Sequence, residues 1–334
     1  MTITKPGYYD AFRCIASACP DSCCKEWDVQ VDDAAAAFYR RLPGPLGDRL
    51  RQVLREEDGQ TVMTIVDGRC PMWRDDGLCR IQAELGEQAL CRVCREFPRL
   101  RHDYGDFVEL GLELSCPEAA RLILDGDWRM VTEAHEEEGQ GDYDQEAMEV
   151  LKATRETAWQ LLESHSPWEA LALLLLYGYQ AQEQLDGGQA EEFDPVSAME
   201  TAASLAKISD TEGFLQFFRQ LEILTESWKA MLDAPRELHL EPQTNALARY
   251  LIGRYWLQAV SDYDLVCRVK FIVISCLLVG LLGGSFPETA QLFSKEIEND
   301  ADNVDAILDA AYTCPAFTDD RLLGLLQNEG RSRT

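Results

Sequence analysis

A chain of 334 residues with an ordinary apolar content can bury a substantial core and is long enough for two domains. Its 59 acidic against 31 basic side chains leave a net charge of −28, a field that repels phosphate backbones and anionic lipid and so argues against nucleic acid and membrane surfaces as partners. The charge is uneven: 17 basic and 23 acidic side chains in residues 1–130 leave −6, and the other 14 and 36 leave −22. Such a surface tolerates a cationic target, for example a lysine-bearing protein.

The first segment, MTITKPGYYDAF, shows neither a basic leader nor an apolar h-region. It reads as no secretory signal, and a cytoplasmic location is expected. There thiols stay reduced, so clustered cysteine points to metal before disulfide. The next segment, CIASACPDSCC, holds four of the twelve cysteines, and nine of the twelve lie at 14, 19, 23, 24, 70, 79, 91, 94 and 116. Among them, TVMTIV (61–66) has strand composition, and in VELGLEL (108–114) apolar residues alternate with Glu and Gly. IQAEL and EQALCRVCREF have helical composition, are separated by Gly86, and the second is stopped by Pro98. SCPEAARLIL opens a further helix, with Ser115 and Glu118 at capping-box spacing and Pro117 in the first turn.

Residues 131–145 are acidic and glycine-bearing without an apolar period, and mark the expected domain boundary. Amphipathic helical patterns follow over 146–164, 167–184, 195–208, 211–233, 243–261, 264–282, 287–298 and 302–312. The most apolar stretch, Phe271–Gly284, is shorter than the roughly 20 residues of a membrane span and predicts a buried core helix. Cys267, Cys276 and Cys314, scattered among apolar helical residues, are most simply packed as small hydrophobes. The expected architecture is an α+β cysteine-rich domain over residues 1–130 followed by an all-α acidic domain over 146–334, predominantly α overall.

Nine cysteines within about a hundred residues far exceed ordinary usage. Adjacent Cys23 and Cys24 would bridge each other only with strain, and soft thiolate ligands suit zinc or an iron–sulfur cluster. Cys91 and Cys94 are an i,i+3 pair on a predicted helix, so their sulfurs share a face. Cys116 stands at a helix N-terminus, where partial positive charge favours thiolate. Arg80, Arg92, Arg95, Arg99 and Arg101 surround the later cysteines and would offset a negatively charged thiolate centre, or form a solvated basic face. Only one C-x2-C pair is present, so the spacing of a zinc ribbon is missing, and so is the ferredoxin run. In C-x3-C-x2-C, Cys19 and Cys23 fit but Glu26 occupies the third place. Cys23 and Cys24 point different ways, so one ligates while the other packs, or they serve two sites.

CIASACPDSCCKEWDVQVD, GRCPMWRDDGLCRIQAELGEQALCRVCREFPR and LSCPEAARLIL together resemble the flagellin lysine-N-methylase family, whose relatives include zinc- or iron-chelating cysteine-cluster proteins. The likeness covers most of residues 8–125, with a weaker echo in NALARYLIGRYWLQAVSDYDLVCRVKF and FSKEIENDADNVDAIL. Where the family shows Glu-Ile-Glu-His, this chain has Glu296-Ile297-Glu298 after Lys295 and Asn299 in the histidine's place. The resemblance implies an iron–sulfur protein, 4Fe–4S with zinc as the other choice, that methylates the ε-amine of lysines on flagellin or a similar surface protein, with S-adenosylmethionine as donor. Its rivals are a non-enzymatic chelating module and a redox protein.

No glycine-rich fingerprint that would cradle the donor appears, nor a P-loop, G-x-S-x-G or H-E-x-x-H. His102, His135, His165 and His239 form no ligand pair, and His102, eight residues past Cys94, alone merits a test as a ligand. Trp159, Trp168, Tyr177, Tyr179, Phe214, Phe217, Phe218, Tyr250, Tyr255 and Trp256 fall at helical spacing and read as core first and a binding groove second. Attack on a methyl group requires a neutral amine, and Glu296 and Glu298 are among the carboxylates on offer as a base. No spacing singles one out, and no catalytic residue is assigned.

Overall fold

A computed structural model describes residues 1–57, 59–134, 139–207 and 211–332. Among them every strand lies before residue 135, and the chain beyond residue 144 forms helices joined by turns and loops, so the protein is predominantly α. The strands β1 (Thr2–Pro6), β2 (Val29–Val31), β3 (Leu54–Glu57), β4 (Gln60–Met63), β5 (Arg99–Asp103), β6 (Phe107–Leu112) and β7 (Met130–Ala134) make two sheets. The larger runs β5-β6-β1-β7, with β1 parallel to β6 (Ile3 opposite Val108) and antiparallel to β7 (Thr4 opposite Thr132). The smaller is the antiparallel order β2-β4-β3.

The expected strand over 61–66 ends at Met63, because the Ile65 amide turns to the Asp28 carboxylate (2.8 Å) and Val66 bridges Arg69 in a turn. The strand expected over 108–114 ends at Leu112. The first residues of the acidic 131–145 stretch are strand β7, which pairs with β1 along its full length.

Helices α1 (Asp33–Arg41), α2 (Gly44–Val53), α3 (Arg80–Leu85) and α4 (Arg92–Glu96) surround the smaller sheet. Asp32 caps two of them at once, accepting from the Ala35 amide (3.1 Å) at α1 and the Arg92 amide (2.7 Å) at α4. Val29, Val31, Tyr39, Leu50, Met63, Met72 and Ile81 close a small apolar core that includes Cys70 and Cys91. Helix α5 (Pro117–Asp125) follows. Its N-cap is Cys116, without a side-chain cap, since Ser115 Oγ bonds Glu113 instead (3.2 Å) and the anticipated capping box does not form.

The helical part comprises α6 (Gln145–Ser164), α7 (Pro167–Leu185), α8 (Pro195–Leu205), α9 (Thr211–Phe218), α10 (Glu226–Asp233), α11 (Thr244–Tyr255), α12 (Leu265–Leu281), α13 (Phe286–Phe293), α14 (Ala301–Thr313) and α15 (Asp319–Ser332). Every residue of α12 is buried, as its apolar run predicted, and among the described residues no helix is long and apolar enough to cross a membrane. Cys267 and Cys276 are buried in it and Cys314 is half-buried. The larger core also takes in Tyr8, Phe12, Phe107, Leu112 and α5. The larger sheet docks on α6 through a bidentate Arg155–Glu109 pair (2.8 and 2.6 Å).

Three departures from the periodic pattern matter. The helix expected over 211–233 is two, because Thr225 caps α10 through the Trp228 amide (3.1 Å) while Asn303 holds the Glu222 backbone from across the fold (3.2 and 3.0 Å). The helix expected over 287–298 passes into a π turn at Ser294–Glu298. Helix α15 was not anticipated.

Candidate functional site

Seven of the nine clustered cysteines, Cys14, Cys19, Cys23, Cys24, Cys79, Cys94 and Cys116, line one cavity of about 290 Å³. Local folding brings them there. Cys14 to Cys24 form a loop with one 3-10 turn at Ala16–Ala18, and Ala16 and, just past the loop, Glu26 are in left-handed conformations (φ 50° and 74°). Cys70 and Cys79 are joined by a tight hairpin in which Gly77 (φ 79°) turns the chain and the Arg74 amide meets the Leu78 carbonyl (2.9 Å). Cys91 caps α4 and Cys94 lies on it. The β6–α5 junction delivers Cys116.

Contacts among the sulfurs define two groups. Cys24 accepts hydrogen bonds from Cys23 and Cys70, and Cys91 from Cys94. Those donated thiols hold Cys24 and Cys91 below the usual thiol range, while Cys23, Cys70 and Cys94, as donors enclosed by protein, are pushed up. Burial also raises Cys19 and Cys79. Cys116 is raised by burial to about 11, against the thiolate expected from its helix terminus: desolvation outweighs the Ala119 and Glu118 amides. Cys70 and Cys91 are buried in the small core, which places them off the cavity lining. Among the described residues no three His, Cys, Asp or Glu side chains are arranged to hold a metal ion.

Of the five arginines picked out in the sequence, Arg95 and Arg99 line the cavity, joined by Arg13, which sequence reading missed. Arg80 and Arg101 turn to Glu84 (3.3 Å) and Asp103 (2.8 Å), and Arg92 does not reach the cavity lining. His102 lines a separate small cavity with Trp159 and Arg254. His165 bonds the Leu161 carbonyl (3.0 Å), His239 lies near Glu329 (3.7 Å), and His135 falls outside the described residues.

The π turn grips this loop. Lys295 is buried, with its ammonium between both Asp21 oxygens (2.9 and 3.0 Å), paired with Glu26, and 5.2 Å from the Trp27 ring. Gln291 adds bonds to Asp21 (3.0 Å) and the Ser115 carbonyl (2.7 Å). Behind it, buried Glu298 accepts from Tyr250 (3.2 Å) and Tyr255 (3.0 Å) and faces Arg254 (3.4 Å). Asn299 donates to Glu113, whose carboxyl is raised by burial. A helix period carries none of this, because π geometry changes which residues face inward.

The clustered thiols offer soft ligand atoms and Arg13, Arg95 and Arg99 offer offsetting charge, but among the described residues no three side chains are already gathered around one metal position. The chain is 34% identical over 131 residues to the flagellar biosynthetic protein FliU of Salmonella muenchen, matching 37% of this chain and 78% of that protein. At 34% identity over 131 residues it also matches lysine-N-methylases of Salmonella typhimurium and Salmonella choleraesuis, spanning only a third of each (33%). No family profile and no solved structure matches.

Proposed function

The chain belongs to the flagellin lysine-N-methylase family, and from that premise we propose that it is an iron–sulfur enzyme that methylates lysine side chains of flagellin or a similar surface protein with S-adenosylmethionine as donor. The observation that carries this reading is the cavity on which seven cysteines converge. Ligands would be drawn from Cys14, Cys19, Cys23, Cys24, Cys70, Cys79, Cys91, Cys94 and Cys116. When bound, a cluster supplies one-electron chemistry. Arg13, Arg95 and Arg99 would offset its charge, and the Lys295 clamp holds the Cys14–Cys24 loop in place. The acidic surface suits a lysine-bearing target, and a cytoplasmic setting would keep the thiols reduced.

Protein purified without oxygen should be brown, bleach with dithionite and contain acid-labile sulfide. With donor and flagellin from the same organism it should add whole methyl increments to surface lysines, read by peptide mass spectrometry. Unmodified lysines with an intact cluster and saturating donor refute the methylase reading. A second reading, a chelating module with zinc or iron as a folding staple, draws on the small separate core beside the cysteines. Stoichiometric zinc without sulfide would establish it.

A further inference from the structure

The nine clustered cysteines divide by what surrounds them. Cys70 and Cys91 are part of the small core around the smaller sheet, and Cys24, Cys79 and Cys94 pack against it. Cys116 packs on the larger core, and Cys14, Cys19 and Cys23 lie outside both. Contacts follow the same line. In the first set Cys24 accepts from Cys70 and Cys91 from Cys94, and Cys79 faces both acceptors. In the second, Cys116 faces Cys14 and Cys19, and Cys23 faces Cys14 and Cys116. Cys23 joins the sets by donating to Cys24. Backbone amides are aimed at sulfurs in both. In the first set the Met72 amide meets Cys70, the Ile81 and Gln82 amides meet Cys79, and the Cys94 amide meets Cys91. In the second the Ala16 amide meets Cys14 (3.4 Å), and the Glu118 and Ala119 amides meet Cys116. Each amide lies two or three residues past its cysteine, where it steadies a thiolate and orients it as a ligand. A cysteine that only fills space needs no such donor.

We propose that the cysteines serve two thiolate centres, a closed one drawn from Cys24, Cys70, Cys79, Cys91 and Cys94 and an open one formed by Cys14, Cys19, Cys23 and Cys116. The division rests on the thiolate-centre part of the proposed function and is independent of methyl transfer. A tetrahedral ion or a 4Fe–4S cluster takes four thiolates. One centre would therefore leave five of the nine sulfurs idle, amides included, whereas two centres use eight. Among the described residues no three side chains already surround one point, so loading turns cysteines about χ1 from one staggered position to another. Each thiol gives its proton to water as it binds, because the ligand is the thiolate. Surroundings give the centres different tasks. The closed set, with Cys70 and Cys91 off the cavity lining, staples the small core. The open set lines the cavity beside Arg13, Arg95 and Arg99, and it joins the loop held by Lys295 to the start of α5. The open centre is thus the one a reactant can reach.

The test is metal removal from the full chain, purified without oxygen and loaded with iron(II) and sulfide or, in parallel, with zinc alone. A chelator should strip the metal in two phases, the first at least tenfold faster than the second. Alkylation between the phases, read by peptide mass spectrometry, should mark Cys14, Cys19, Cys23 and Cys116 first, and Cys70, Cys79 and Cys91 only in the second phase. Those readings need no variant. Cys14→Ser, Cys19→Ser and Cys116→Ser combined should lose the fast fraction and keep the slow one whole. Sulfide released with a phase identifies that centre as a cluster, and a phase without sulfide identifies a single ion. A single phase, early marking of Cys70, Cys79 or Cys91, or loss of all metal from the triple variant with unchanged circular dichroism overturns the division. In each of those cases the thiolate-centre reading stands. If the wild type takes up neither iron nor zinc, that reading falls and takes the division with it.

Discussion

Replacing Lys295 with methionine keeps most of the side chain's volume and removes its charge from between Asp21 and Glu26. Breaking a buried ion pair typically costs about 3–5 kcal/mol. Here the lysine is 1% exposed, but Asp21 and Glu26 retain 23% and 33% of their side-chain exposure, so water recovers part of the loss. The expected destabilisation is about 2–3 kcal/mol. For 334 residues unfolding cooperatively, an entropy of about 0.7 kcal/mol/K near 60 °C turns this into a fall of roughly 3–4 °C in Tm. Glu26 sits at φ 74°, so the released loop should also relax, and Cys14, Cys19 and Cys23 should react faster with a disulfide reagent. Far-UV circular dichroism on heating and thiol titration of the metal-free protein measure both. Adding Asp21→Asn and Glu26→Gln to Lys295→Met should restore much of the stability, because no unpaired charge then remains. A Tm shift below about 1 °C with unchanged thiol reactivity would refute the clamp.

Serine in place of Cys267, Cys276 or Cys314 should leave iron and sulfide content near wild type, whereas serine at Cys24 or Cys91, the thiol acceptors of the two groups, should lower it. Metal analysis of anaerobically purified variants decides. Arg155→Met should destabilise by about 3–5 kcal/mol, read by urea unfolding, because it strands Glu109 in a contact where both side chains are nearly enclosed (7% and 12% exposed). His102 is held below its ordinary value by burial first and Arg254 second. The unfolded chain therefore takes up this proton more readily, and stability should fall as pH drops through the unfolded value of about 6.5. His102→Gln should flatten that part of the Tm–pH curve, and an unchanged curve would remove His102 as its source.

The sequence by itself determined whatever depends on neighbours along the chain. Helical periods put α6, α7, α12 and α14 within a residue or two of their observed ends, because an apolar stripe must be buried wherever it lies. The crowding of cysteines marked a candidate centre from composition alone, and seven of the nine do share a cavity. What only the tertiary structure decided are contacts between distant segments. Asn303 holds the Glu222 backbone and splits a helix that its own period would continue. Burial reverses the thiolate expected at Cys116, since desolvation depends on what the fold stacks around a group and not on its place in a helix. Lys295 and Asp21 are 274 residues apart in sequence, yet their contact positions the cysteine loop. Glu296, one carboxylate among 59 acidic groups in the sequence, becomes distinctive only when a π turn buries it and the distant Leu224 amide bonds it (2.7 Å). Charge and period are local sums, whereas a buried polar contact is a property of everything that surrounds it.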